Sequence, residues 1–165
     1  GLGFDAAVCE GALHSKFKKF LNQFHLGKLT YTGIALKEIF LSHCPKAKLI
    51  LDNDTVIETP TLLFASAMNL PYEGGGFQFC PEADSKDDHL DLILVEKMPK
   101  LKVFLLLPTA FFGKHTRFRG IHIHTFREAR LITEQPLFLH TDGEIPGKTS
   151  EVVWRLLPKT LTMIL

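Results

Sequence analysis

Apolar positions along the chain change period twice, and each change marks a change of element. Between residues 15 and 26 Phe17, Phe20, Leu21 and Phe24 recur at helical spacing, Lys16, Lys18 and Lys19 take the other face, and Gly27 follows as a stop signal. A second helical pattern over 31–43 carries Ile34, Leu36, Ile39 and Phe40 and ends before Pro45. Beyond Pro45 the pattern turns to strands. Residues 48–51 and 55–58 flank Asp52-Asn53-Asp54, which predicts a hairpin turn, and 61–68 and 90–95 are apolar, β-prone runs. Residues 99–107 restore a helical pattern with Pro99 in the first turn.

The last third alternates again. Ile121 and Ile123 share one face of the segment 120–126, and His122 and His124 share the other. Short strands are predicted at 130–133, 136–140, 151–156 and 160–165, separated by turn residues. This succession predicts a mainly β, α+β domain, an antiparallel sandwich or barrel-like sheet with a few peripheral helices. No internal repeat, low-complexity tract or linker divides the chain, so residues 1–165 are expected to form one unit.

Composition narrows the class without changing the fold. The 165 residues carry 19 Lys and Arg against 18 Asp and Glu, a formal net charge of +1, which excludes a disordered tail and a general nucleic-acid binder. Cys9, Cys44 and Cys80 form no C-x-x-C or disulfide pattern and suggest a reducing, cytoplasmic setting. No signal-peptide pattern opens the chain, and the most apolar stretch, 101–112, is broken by Lys102 and Pro108. Because Gly1 is not an initiating Met and structure begins at once, a longer parent chain is expected.

Several segments could carry chemistry. The run Pro81-Glu82-Ala83-Asp84-Ser85-Lys86-Asp87-Asp88-His89-Leu90-Asp91 concentrates hard oxygen donors suited to magnesium or calcium, although Asp and Ser also populate ordinary turns. His140-Thr141-Asp142-Gly143-Glu144 lies at the end of an apolar strand, where a carboxylate on an exposed rim can take a hydroxyl proton during phosphoryl transfer; spacing alone favours a plain Asp-Gly turn. Gly74-Gly75-Gly76 lacks both the P-loop and the dinucleotide signature. Lys114, Arg117 and Arg119, interleaved with Phe111, Phe112 and Phe118, suit either anionic lipid head groups or an ordinary solvated loop.

Four stretches in this order resemble the C-terminal region of the diacylglycerol kinase catalytic family, which includes bacterial lipid kinases, sphingosine kinases and ceramide kinase. They are Gly3-Phe4-Asp5-Ala6; Asn69 followed by Gly74-Gly75-Gly76; Pro81-x-Ala83 running to Asp87 and Leu90-Asp91; and Asp142-Gly143-Glu144. The resemblance implies the lipid-side domain of an ATP-dependent lipid kinase. Asp142 then matches the general base, and Glu144 the acid facing the nucleotide or its metal. Asp87 matches the acid of an Asp-Gly turn in a Mg2+ site that backbone carbonyls near Asp84 and His89 complete. Asp88 replaces the family's Gly, a substitution that matters if the turn needs a positive φ. No Gly-Gly-Asp-Gly nucleotide loop occurs in these residues. The isolated chain is therefore expected to be inactive, with the nucleotide-binding domain lying outside it.

By the same resemblance the partners are a lipid substrate at a membrane surface, with peripheral membrane localisation, and no nucleic acid. Missing first strands would expose sheet edges and invite homodimerisation. The other reading is a non-catalytic lipid- or protein-binding sandwich whose acids serve turns or a structural metal.

Overall fold

The computed structural model describes residues 1–14, 37–38, 41–73 and 76–157. The helix predicted over 15–26 and the strand over 160–165 lie outside them, as does most of the helix predicted over 31–43; residues 37, 38 and 41 are helical. The described elements are β1 (Leu2–Gly3), α1 (Phe4–His14), β2 (Ala47–Leu51), β3 (Thr55–Thr59), β4 (Leu62–Met68), β5 (Leu90–Glu96), α2 (Lys100–Ala110), a 3-10 turn (Lys114–Arg117), β6 (Ile121–Phe126), β7 (Glu128–Thr141) and β8 (Glu144–Arg155).

All strand pairs are antiparallel and join one curled sheet in the order β3-β2-β7-β1-β4-β5-β6, with β8 added against β7. The predicted β-rich sandwich or barrel-like class with few helices is the observed one. β7 organises the curl: Leu131 lies between Leu49 of β2 and Val152 of β8, while Leu139 lies between Leu2 of β1 and Gly147 of β8.

Burial explains the two apolar layers. β4 and β5 are buried on both faces, so their sequences read as continuous apolar runs. Leu62, Ala65, Leu92 and Leu94 face a core shared with Leu2, Leu49, Phe126 and Leu131 inside the curl. Leu63, Phe64, Ile93 and Val95 face a second cluster with Cys80 and Ala83, against which Phe4 and Val103 pack. A register shift between Leu62 and Phe64 accounts for the break in alternation on β4.

Four of the longer elements differ from the pattern-based reading. The two strands predicted at 130–133 and 136–140 form the single strand β7, whose pairing with β8 shifts between Ile132 and Leu137 around Pro136. Proline has no N–H for the ladder, so the pairing opens there while the strand continues. β8 starts at Glu144 instead of 151: it is an edge strand with no buried residue, and an edge tolerates Pro146 and Gly147. α1 was not predicted at all, and α2 continues past Pro108 to Ala110.

Gly3 sits at the crossing of β1 and β4. Its φ is 113°, and a Cβ there would stand 2.6 Å from the Leu63 carbonyl oxygen and 2.9 Å from Phe64 Cα. Only glycine meets both demands, and this close approach delivers α1 onto the sheet.

Candidate functional site

The Asp142-Gly143 dipeptide is the two-residue connection between β7 and β8. Both residues have left-handed backbones, φ 49° and 88°, the geometry of a type I′ hairpin for which Asp-Gly is favoured. Glu144 pairs with Thr141 at the first rung below the turn, and Asp142 and Glu144 are both exposed. The structure therefore puts these two acids on a solvent-facing rim.

Beneath the rim lies a buried group that the sequence reading did not assemble. His140, two residues before Asp142, has its Nε2 2.9 Å from Asp5 Oδ2 and 3.3 Å from Glu73 Oε1. The side chains of His140 and Asp5 are 7% and 8% exposed, and that of Glu73 22%. The β1–β7 ladder creates the meeting: His140 N donates to Gly1 O at 2.8 Å, and Gly1 N donates to His140 O at the same distance. Asp5 follows β1 directly in the first turn of α1, where its Oδ1 accepts Ala6 N at 2.8 Å. Glu73 is set by a bridge to Phe77, with its N–H donating to Phe77 O at 2.9 Å.

Electrostatics within this group are strained. Burial pushes the Glu73 carboxyl up from its usual range, the Asp5 charge pushes the same way, and His140 partly offsets both. Glu73 Oε2 and His140 Nδ1 are buried with no hydrogen-bond partner among the described residues. The three ligand atoms lie within 4.8 Å of one another, so one imidazole and two carboxylates could hold a divalent cation or stand as a histidine bracketed by two acids. The only sequence signal was adjacency to the motifs: Asp5 lies inside the first, Glu73 precedes the glycine run, and His140 precedes Asp142.

The acidic loop is held by bonds of its own. Lys86 N donates to Asp84 Oδ1 at 3.0 Å and His89 N to Asp87 Oδ1 at 2.9 Å, while His89 Nδ1 lies 2.8 Å from Asp87 O. Asp84 and Asp87 are exposed and His89 is half-buried. Asp88 has φ 59°, so the turn does require a left-handed residue at the position where the family carries glycine. The donors here, carboxylate and carbonyl oxygens, are of the hard type that magnesium takes. Asp91, at the start of β5, is buried and accepts Thr125 Oγ1 at 2.9 Å, a bond that ties β5 to β6.

The cysteines, the paired histidines and the glycine run are accounted for locally. Burial pushes the Cys80 thiol far up, and Cys44 is raised for the same reason, so neither is an activated nucleophile. His122 and His124 stack on each other, and His122 Nε2 lies 3.6 Å from Glu96 Oε1. Of the glycine run, Gly76 is described, with φ 88°, and Gly74 and Gly75 lie outside the described residues.

The chain is similar to known proteins in sequence and in fold. YtlR of Bacillus subtilis (strain 168), a protein whose name proposes a lipid-kinase activity, is 30% identical over 149 residues, which cover 90% of this chain and 48% of YtlR. A diacylglycerol kinase of Mycobacterium tuberculosis is 27% identical over 155 residues, 91% of this chain and 47% of that protein. The chain thus spans about half the length of the curated relatives it matches. A crystal structure described as a diacylglycerol kinase from Bacillus anthracis str. Sterne superposes with a TM-score of 0.54 at 19% identity, over 75% of this chain and 43% of that one. That likeness establishes the shared fold. The family model of the YegS C-terminal NAD kinase beta sandwich-like domain matches residues 1–165, and the chain belongs to that family.

Proposed function

We propose that the chain is the acceptor-side domain of an ATP-dependent lipid kinase, transferring a phosphoryl group to a lipid hydroxyl such as that of diacylglycerol. One observation carries the reading. Segments 135 residues apart, the Asp5 motif and the strand leading to Asp142, meet at a 2.9 Å contact between Asp5 and His140. Two of the four motifs, the first and the last in sequence, therefore share a place in space.

In this reading Asp142 accepts the proton of the lipid hydroxyl as it attacks, which a neutral alcohol needs because it is a poor nucleophile. Glu144, one rung below, faces the nucleotide or its metal. Asp87, with the carbonyls near Asp84 and His89, would hold Mg2+, whose chemistry when bound would be charge neutralisation. His140, Asp5 and Glu73 position the hairpin tip from below. ATP is bound chiefly by the part of the parent protein beyond these residues, so the 165-residue chain alone is inactive. The working place is the cytoplasmic membrane surface, where the acceptor lies.

The test is phosphoryl transfer from ATP by the full natural protein against a panel of lipid alcohols. Asp142→Asn is run beside it and is expected to lower kcat by about 10²–10⁴-fold. Turnover near wild type in that variant removes Asp142 from the base role. A second reading, a non-catalytic binding sandwich, is favoured by the local bonds of Asp84 and Asp87, which are those of ordinary turns. Absence of transfer to every lipid in the panel would select it.

A further inference from the structure

A surface helix of a globular domain normally turns its apolar stripe inward and polar residues outward. α2 does the reverse on its open side. Leu106 and Ala110 are buried, while Leu101, Phe104, Leu105 and Phe112 are 69%, 47%, 62% and 73% exposed. With Pro108, also exposed, they line one outward stripe at i, i+3, i+4, i+7 and i+11. No charged residue interrupts the stripe.

The charge around the stripe is one-sided. Residues 97–127 contain Lys97, Lys100, Lys102, Lys114, Arg117, Arg119 and Arg127 and no Asp or Glu. All 18 acids of the chain lie elsewhere, with the other twelve of its 19 Lys and Arg, so the rest of the chain is net acidic. The basic rim is tied to the helix: Lys102 Nζ donates to Arg119 O at 3.0 Å. At the other end Gln78 N donates to Ala110 O at 2.8 Å, and Phe111 stacks on Phe77 with ring centroids 4.3 Å apart. The stripe is thus presented by a fixed platform.

We infer that α2 and the 3-10 turn after it form the face by which the protein docks on an anionic phospholipid surface. Leu101, Leu105 and Phe112 enter the acyl boundary while Lys114, Arg117 and Arg119 meet the head groups. An apolar stripe whose own segment, 97–127, carries only cations matches that interface in both hydrophobicity and charge. A protein partner would need an acidic, equally apolar groove to match both. The inference fits the lipid-kinase reading but does not depend on phosphoryl transfer.

The experiment is co-sedimentation of the full natural protein, without nucleotide, with vesicles of phosphatidylcholine alone or mixed with phosphatidylglycerol. Wild type is expected to bind the mixed vesicles much more tightly than the neutral ones, and to lose that binding in high salt. The triple variant Lys114→Gln, Arg117→Gln, Arg119→Gln is expected to weaken it by roughly a hundredfold, about fivefold per cation. The pair Leu105→Ser, Phe112→Ser is expected to weaken it at least about tenfold. All five positions are exposed, and thermal unfolding of each variant checks that it is folded. Equal binding by wild type and both variants overturns the proposal, as does no binding of wild type to the mixed vesicles. Light scattering that shows a dimer broken by the Leu105, Phe112 pair also overturns it, by assigning the face to a second copy. An environment-sensitive dye at Phe112→Cys that reads buried before vesicles are added does the same for the remainder of the parent chain.

Discussion

His140→Leu tests whether the buried group is held by its charges. The substitution keeps an apolar side chain in place but removes the imidazole that Asp5 and Glu73 share, at 2.9 and 3.3 Å. Breaking a buried ion cluster by removing one member leaves uncompensated charge and costs about 3–5 kcal/mol. That is a large part of the roughly 5–15 kcal/mol that holds a domain folded. In urea, with a slope of about 1–3 kcal/mol per molar, the unfolding midpoint of the 165-residue chain should fall by at least about 1 M. The pH dependence gives an independent reading. Glu73 is raised in the folded state, so its contribution is fully present below the ordinary carboxylate range and is lost as pH rises through the raised folded value. Without His140 to oppose burial and Asp5, that loss grows. The cost of His140→Leu should therefore be greatest at neutral pH and shrink on acidification. Adding Glu73→Gln should recover at least about 1 kcal/mol, since residues in contact couple by that order. A cost below about 1 kcal/mol at neutral pH, unchanged on acidification, would refute the reasoning.

Two further substitutions probe the scaffold that carries the site. Gly3→Ala places a Cβ 2.6 Å from the Leu63 carbonyl oxygen at φ 113°, and should cost about 2–3 kcal/mol in urea unfolding; a change within about 0.5 kcal/mol would show that β1 can shift off β4. Asp52, at φ 49°, accepts Arg127 N and Glu128 N at 2.9 and 2.8 Å, and these backbone bonds hold its carboxyl below the usual range. Its stabilisation is present above the ordinary carboxylate range and lost as pH falls through the lowered value. Asp52→Asn keeps the left-handed preference and an acceptor oxygen, so it should cost only about 0.5–1 kcal/mol at neutral pH, given the exposure, and nothing in strong acid. A pH-independent difference in thermal unfolding would sink that account.

The fold was legible where one signal decided the element. The Asp52-Asn53 turn, the continuous apolar runs of β4 and β5 and the alternation of β6 all appear as read. It was illegible where two signals competed. Pro136 looked like a strand boundary but sits in a bulge of a strand held on both sides, and Pro146 and Gly147 looked like a loop but occupy an edge strand. α1 begins immediately after a glycine strand and holds Gly11, which hid its helical pattern. The site divides along the same line. Asp142 and Glu144 were found because a local motif carries them. Glu73 and His140 were not, because what joins them to Asp5 is the β1–β7 register and a bridge at Phe77, neither of which leaves a spacing in sequence.

That division bears on how the rim acids can act. A carboxylate at an exposed hairpin tip cannot fix itself, since solvent competes for every bond it makes and β8 beneath it has no fully buried residue. Its position must come from β7. There the chain is held by β8 along one side, by β1 at Leu139 on the other, and by His140 locked to Asp5, two residues from the tip. The turn itself adds no slack, because two consecutive left-handed residues close it in the fewest steps. Loosening the buried group should therefore displace Asp142 without touching it. In the lipid-kinase reading Asp5→Asn is then a positioning variant: it should lower kcat more than KM, and Asp142→Asn added to it should cost less than it does alone.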